Sequence, residues 1–287
     1  MQISEATSQK IKNMSLLCAF LVVAIHSGEL HYEPWSLGWI FANTIKAGFA
    51  DIAVPFFFIV SGFFLAQHFD EEGWWRRENQ KRIRSLLIPF VAWSLIACVA
   101  TIPLSIIADL VAHRPFGTSI TSLANWPTIL GLDFTQGPNL GQLWYVRCLL
   151  IFVLLGGVFK FGVSRFKYAW LVIAGIFYLG QRHIPCETLQ SVITMGMKMG
   201  GVATGIFYFS IGVFIQRFKP QPTTSKNAIW FGTAGIALLI ARLVIIDNGW
   251  LGQNCVHKFA VPLLIYSTWH FMTAKKWPSW LTSTPSN

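Results

Sequence analysis

The run LVVAIHSGEL, Leu21 to Leu30, ends an apolar segment on an imidazole, His26. Free imidazole ionises at about pH 6.5. In its neutral form it can take a proton from a hydroxyl and so act as a general base. The other reading of His26 is an interfacial polar residue that touches water where a helix leaves lipid. Glu29 lies three residues on and shares the face of His26 if the helix continues. It either orients the imidazole or marks the interface, and the interface reading is the simpler one.

Two further stretches carry charge where it costs something. The densest basic cluster is RRENQKRIRSLLIPF, residues 76–90. Its distal part holds Lys81, Arg82 and Arg84, while Asp70, Glu71, Glu72 and Glu78 dilute the part before it. Lys81 and Arg84 are three apart, so on an α-helix they point the same way. A cationic pair suits the phosphates of a polyanionic cofactor. The plainer role is the positive anchor of the following span. In LWYVRCLL, residues 143–150, Trp144 and Tyr145 read as an interfacial aromatic belt. Arg147, about one turn further in, must snorkel, pair or face a cavity. Glu29, Trp144, Tyr145 and Arg147 are therefore the substrate-pocket candidates. Arg242 poses the same question as Arg147, with Asp247 and Asp109 as candidate partners. In DIAVPFFFIVSGFFLA, residues 51–66, Ser61 and Gly62 read as small residues that let helices approach closely. Ser61 does not sit in the turn a serine nucleophile needs.

These residues must be positioned by membrane helices. Of 287 residues 54% are hydrophobic and 12% charged, with a mean hydropathy of +0.52; a soluble domain carries about 25% charged residues. The composition implies an all-α polytopic helix bundle with a single membrane-embedded domain over residues 1–287. A span needs about 20 apolar residues. Eight are expected, at 12–30, 49–69, 85–108, 142–161, 168–182, 201–217, 227–247 and 257–274. The fifth is short. Trp35–Gly48 is expected to lie at an interface, and 109–141 to be a long connection. The N-terminal residues do not read as a signal peptide. Cysteines 18, 98, 148, 186 and 255 are scattered without a CxxC pair. They read as small core residues, and no metal site is expected.

Charge sets the expected sidedness. With the N-terminus inside, fifteen lysines and arginines fall in inner segments and five in outer ones. Arg147 and Arg242 lie within spans and complete the 22. The bias predicts a cytoplasmic N-terminus in the cell (inner) membrane and His26 near the outer end of the first span. It accounts for the net charge of +10 through topology and anionic lipid, so no nucleic-acid partner is expected.

Four of these stretches, in order, resemble the acyltransferase-3 family of integral membrane acyltransferases. MSLLCAFLVVAIHSG (14–28) resembles its first helix, which ends in a histidine. VPFFFIVSGFFLA (54–66) resembles its Pro-Phe-Phe…Ser-Gly helix. KRIRSLLIPFVAW (81–93) resembles its basic stretch before a Leu-Leu-x-Pro helix, and LWYVRCLL resembles its Leu-Trp-aromatic start. The resemblance implies transfer of an acyl group, commonly acetyl, from acyl-CoA to a hydroxyl of a cell-envelope saccharide, free or lipid-linked. It makes His26 the catalytic histidine and sets Lys81 and Arg84, with Arg82, where the family has its basic pair. There are two departures. Ser15 stands eleven residues before His26, where the family commonly has arginine. The family also usually has about ten spans, so the chain reads as a short, truncated or inactive member. CoA phosphates at the inner cluster and a base at the outer end would be separated by a hydrocarbon core of about 30 Å. The acyl arm would then have to enter a pore or be relayed. A flippase for a lipid-linked saccharide and an inactive scaffold descended from the enzyme are the alternatives.

Overall fold

The structure, a computed structural model, describes residues 3–27, 32–113, 141–180, 201–220, 224–247 and 253–272. Among them every regular element is helical. Helix α1 (Glu5–His26) starts where the Ser4 hydroxyl accepts the Thr7 N–H at 3.2 Å, with Glu5 in the first turn at the positive end of the helix dipole. It ends at Ser27, whose hydroxyl donates to the Ala24 carbonyl at 2.8 Å. The other helices are α2 (Leu37–Phe41), α3 (Ala53–Ala66), α4 (Trp74–Arg82), α5 (Ile88–Val111), α6 (Trp144–Leu154), α7 (Gly156–Phe166), α8 (Tyr168–Gly180), α9 (Val202–Phe218), α10 (Ser225–Asp247) and α11 (Gln253–Phe271). Two π-helical turns, Ala42–Lys46 and Ile83–Leu87, precede α3 and α5, and a 3-10 turn at Phe49–Ile52 leads into α3.

Each of the eight expected apolar segments carries helix. By length and composition, three runs among the described residues suffice to cross a membrane: Glu5–His26, Leu37–Ala66 and Ser225–Ile245. The pair α6 and α7, bent by 68°, makes a fourth if it is one broken span. Two expectations change in detail. Trp35–Gly48 was expected as a separate interfacial stretch, but from Leu37 it joins the apolar helical run that ends at Ala66. The span expected at 142–161 breaks at Leu155, ahead of Gly156 and Gly157, the residue type at which helices kink. Helix α8 has 13 residues, or about 20 Å of helix, short for a span on its own. Most of the connection expected at 109–141 lies outside the described residues.

The chain forms two compact units, one of residues 1–60 and 218–287, the other of residues 61–217. In the first, α10 and α11 pack along each other, and Leu264 of α11 fills the space left by Gly235 of α10. The 3-10 turn packs on α1 and on α11. Lys10 of α1 donates to the His270 carbonyl at 3.4 Å and lies over the Trp269 ring. In the second unit, Phe152, Phe159 and Phe209 form an aromatic core, with ring centroids of Phe159 and Phe209 4.7 Å apart. Trp170 donates to the Ser210 hydroxyl at 2.9 Å. Gly62 of α3 lies directly against the Phe209 backbone, the close approach its small size predicts. Large apolar side chains remain exposed on outward faces, including Trp93, Ile96 and Val99 on α5 and Ile229, Trp230 and Ile236 on α10. Apolar faces of this extent are the surfaces that meet lipid. The protein is a membrane helix bundle.

Candidate functional site

In the first unit, His26 is the last residue of α1 and its side chain is exposed. Glu29, its candidate orienting carboxylate, lies outside the described residues.

The same unit contains a polar cluster that sequence reading only half saw. Arg242 of α10 was expected to pair with Asp247 or Asp109. Its guanidinium donates to the Asn43 carbonyl, in the first π turn, at 3.2 Å, and the Asp51 carboxylate acts on it electrostatically. The Asp247 side chain lies outside the described ones, and Asp109 is buried on α5 in the second unit. Asp51, in the 3-10 turn, also pairs with His257 of α11, Nε2 to Oδ2 at 2.8 Å. Both partners are more covered than open, with side chains 14% exposed for His257 and 28% for Asp51. His257 Nδ1 and the Thr44 hydroxyl are buried, and neither has a hydrogen-bond partner among the described residues. Asp51 and His257 each sit at the end of an apolar run. That was the available signal, but their pairing joins opposite ends of the sequence.

In the second unit, α4 and the second π turn pack on α6. This brings the basic stretch and the Trp-Tyr-Arg stretch to one place. Lys81 and Arg84 are exposed, whereas Arg82 is half-buried. The π turn begins directly after Arg82, so Lys81 and Arg84 do not share a regular α-helical turn. Arg82 faces the buried Glu78 carboxylate at 3.5 Å, and its charge also acts on Tyr145. Tyr145 shares a hydrogen bond with Ser61 at 3.3 Å, and Trp144 beside it is half-buried. Arg147 is buried, 3% exposed. Gln67 Nε2 and both amide atoms of Asn79 are buried without hydrogen-bond partners among the described residues.

Surface ion pairs flank this region. Glu71 accepts from His68 at 2.9 Å and from Arg77 at 2.6 Å, and Arg217 pairs with Asp70 at 2.6 Å. The His68 hydrogen bond, helped by the charges of His68 and Arg77, holds the Glu71 carboxyl below its ordinary value. Lys160 donates to the Phe69 carbonyl and lies over the Trp74 ring, tying α7 to the turn before α4. Among the described residues no three His, Cys, Asp or Glu side chains are grouped to hold a metal ion.

Residues 11–284 match the family model described as an acyltransferase domain, Acyl_transf_3. The chain is also similar to the serine/alanine racemase of Enterococcus gallinarum, at 25% identity over 293 residues. That alignment takes in 95% of this chain but only 39% of the relative, so the chain spans about two fifths of the length of the curated relative it matches. No solved structure matches it. A family match over nearly the whole chain, on an all-helical membrane framework, settles the class: the chain belongs to the acyltransferase-3 family of membrane acyltransferases.

Proposed function

We propose that this membrane acyltransferase moves an acyl group, acetyl by preference, from acyl-CoA to a hydroxyl of a cell-envelope saccharide or lipid-linked saccharide, with His26 as the general base. The family match over residues 11–284 carries this reading. The exposed imidazole at the end of α1 supports the role of His26. The acceptor oxygen attacks the thioester carbonyl carbon as His26 takes the hydroxyl proton. A C–O bond forms, the C–S bond breaks, and the departing CoA thiolate takes up the proton. The thioester is already activated, so the protein's contribution is to position the reactants and supply the base.

The exposed Lys81 and Arg84, with Arg82, are the proposed contacts for the CoA phosphates, and Trp144, Tyr145 and Arg147 the proposed pocket beside them. Glu29, three residues beyond His26, is a further proposed pocket residue. The proposed location is the cell (inner) membrane with a cytoplasmic N-terminus, and the proposed reaction needs no metal.

A second reading draws on one observation: the curated relative is named for racemising serine and alanine, not for acyl transfer. In that case the domain would be a transporter or flippase, or a membrane scaffold that turns over no donor. Mass spectrometry of envelope glycans from cells with and without the gene separates the two. Acyl transfer predicts glycans heavier by one acyl group only when the gene is present. Substrate movement with no ester formed supports the second reading and ends the first.

A further inference from the structure

We propose that Asp51, His257 and Thr44 form a hydroxyl-binding subsite for the acceptor, a second polar centre in the unit that carries His26. The pairing geometry sets the chemistry. Nε2 is the ring nitrogen at 2.8 Å from the Asp51 carboxylate, so in the neutral ring the Nε2–H donates to Asp51. That leaves Nδ1 with its lone pair, buried and without a hydrogen-bond partner among the described residues. A buried polar atom left unsatisfied is costly, and a ligand group that pairs with it offsets that cost. The Thr44 hydroxyl is buried in the same condition. The π turn that carries it packs on the 3-10 turn of Asp51, as does the α11 helix of His257. Arg242, held by the Asn43 carbonyl, supplies a positive charge that offsets Asp51.

These groups select among ligands. A carboxylate has no proton to give Nδ1. An ammonium group would meet the charge of Arg242. A neutral hydroxyl can donate to a bare ring nitrogen and accept from a hydroxyl or guanidinium with the same oxygen. The subsite therefore fits a polyol or sugar, which deepens the acyl-transfer reading and rests on it for the identity of the acceptor. Asp51 acts here as a positioning residue: it fixes the ring and tautomer of His257. A pair that merely pinned α11 to the start of α3 would have no use for a free Nδ1.

The test uses the full chain in lipid nanodiscs with its histidines labelled with nitrogen-15, the His257 signals assigned by their loss in His257→Ala. The probes are methyl glucoside and its fully O-methylated ether, which has no hydroxyl. The expected result is an Nε2–H tautomer at His257 and an Nδ1 signal that moves with methyl glucoside but not with the ether. Asp51→Asn is expected to lose both the tautomer preference and the response, and His26→Ala to keep them. An Nδ1–H tautomer, or no response to methyl glucoside, overturns the subsite. In parallel, acetyl transfer from acetyl-CoA to methyl glucoside is followed. Asp51→Asn is expected to raise KM about tenfold with a smaller change in kcat, the loss of roughly one well-made hydrogen bond. A response at His257 without any acetyl transfer by the wild type sinks the acyl-transfer reading and leaves the subsite standing. Transfer without a response does the reverse.

Discussion

At the scale of single residues, the chemistry rests on a few ionisable side chains set in apolar surroundings, where each carries a cost. An imidazole closing an apolar run is visible in LVVAIH, and the structure puts His26 at the last position of α1 with an exposed ring. The costs of Arg147 and Arg242 were equally visible, because a charge within an apolar segment stands out. The partner of Arg242 was not, because the Asn43 carbonyl carries no signal in a side-chain alphabet. Glu71 shows how electrostatics works at this scale. Its carboxyl is held below its ordinary value of 4.5, chiefly by the His68 hydrogen bond. A depressed carboxylate pKa contributes stability above the unfolded value and loses it as pH falls through the folded value. The wild type should therefore melt slightly above Glu71→Gln at neutral pH. That small margin should vanish as pH drops below 4.5, which paired thermal scans would show. The margin is small because solvent screens an exposed surface pair.

At the scale of elements, hydropathy placed the helices and missed their joints. All eight expected apolar segments contain helix. A window long enough to detect a span averages over a break, so the 68° bend between α6 and α7 did not register. Its signal was the Gly156-Gly157 pair. Gly156 lets the Trp74 ring come close enough that an added Cβ would sit 3.1 Å from it. The two π turns were illegible, because an extra residue in a helical turn has no composition of its own. Gly62 was legible as a small residue in an aromatic helix, and its packing on the Phe209 backbone follows. The carbonyl it faces is backbone and cannot swing away. Gly62→Ala should lower stability by about 1–3 kcal/mol through forced separation of α3 and α9. A drop in the thermal midpoint of the detergent-solubilised protein would show it, and an unchanged midpoint would mean the two helices yield freely.

At the scale of the whole molecule, composition gave the membrane class, and charge bias gave an orientation that experiment can read. With the N-terminus taken as inside, the expected inner segments hold fifteen basic residues and the outer ones five, a bias that predicts orientation when it lies close to span ends. Reporter fusions after Lys12 and after Lys276 should both report a cytoplasmic side, and a fusion within the residues just after His26 the opposite side. A fusion after His26 on the same side as one after Lys12 would mean that the first helix does not cross the membrane. Order of motifs, more than any one of them, made the family legible, and the match over residues 11–284 establishes it. Long-range assembly stayed out of reach: the Asp51–His257 pair joins residues whose local sequences say nothing of each other.

The central claim is that the imidazole at the end of α1 is the base for acyl transfer. Glycan mass spectra from cells carrying wild-type protein or His26→Ala, matched for the amount inserted in the membrane, test it most directly. Loss of a general base costs about 10²–10⁴-fold in rate, so the acylated glycan of the wild type should fall to the level of cells without the gene. Acylation in His26→Ala cells equal to the wild type would contradict it.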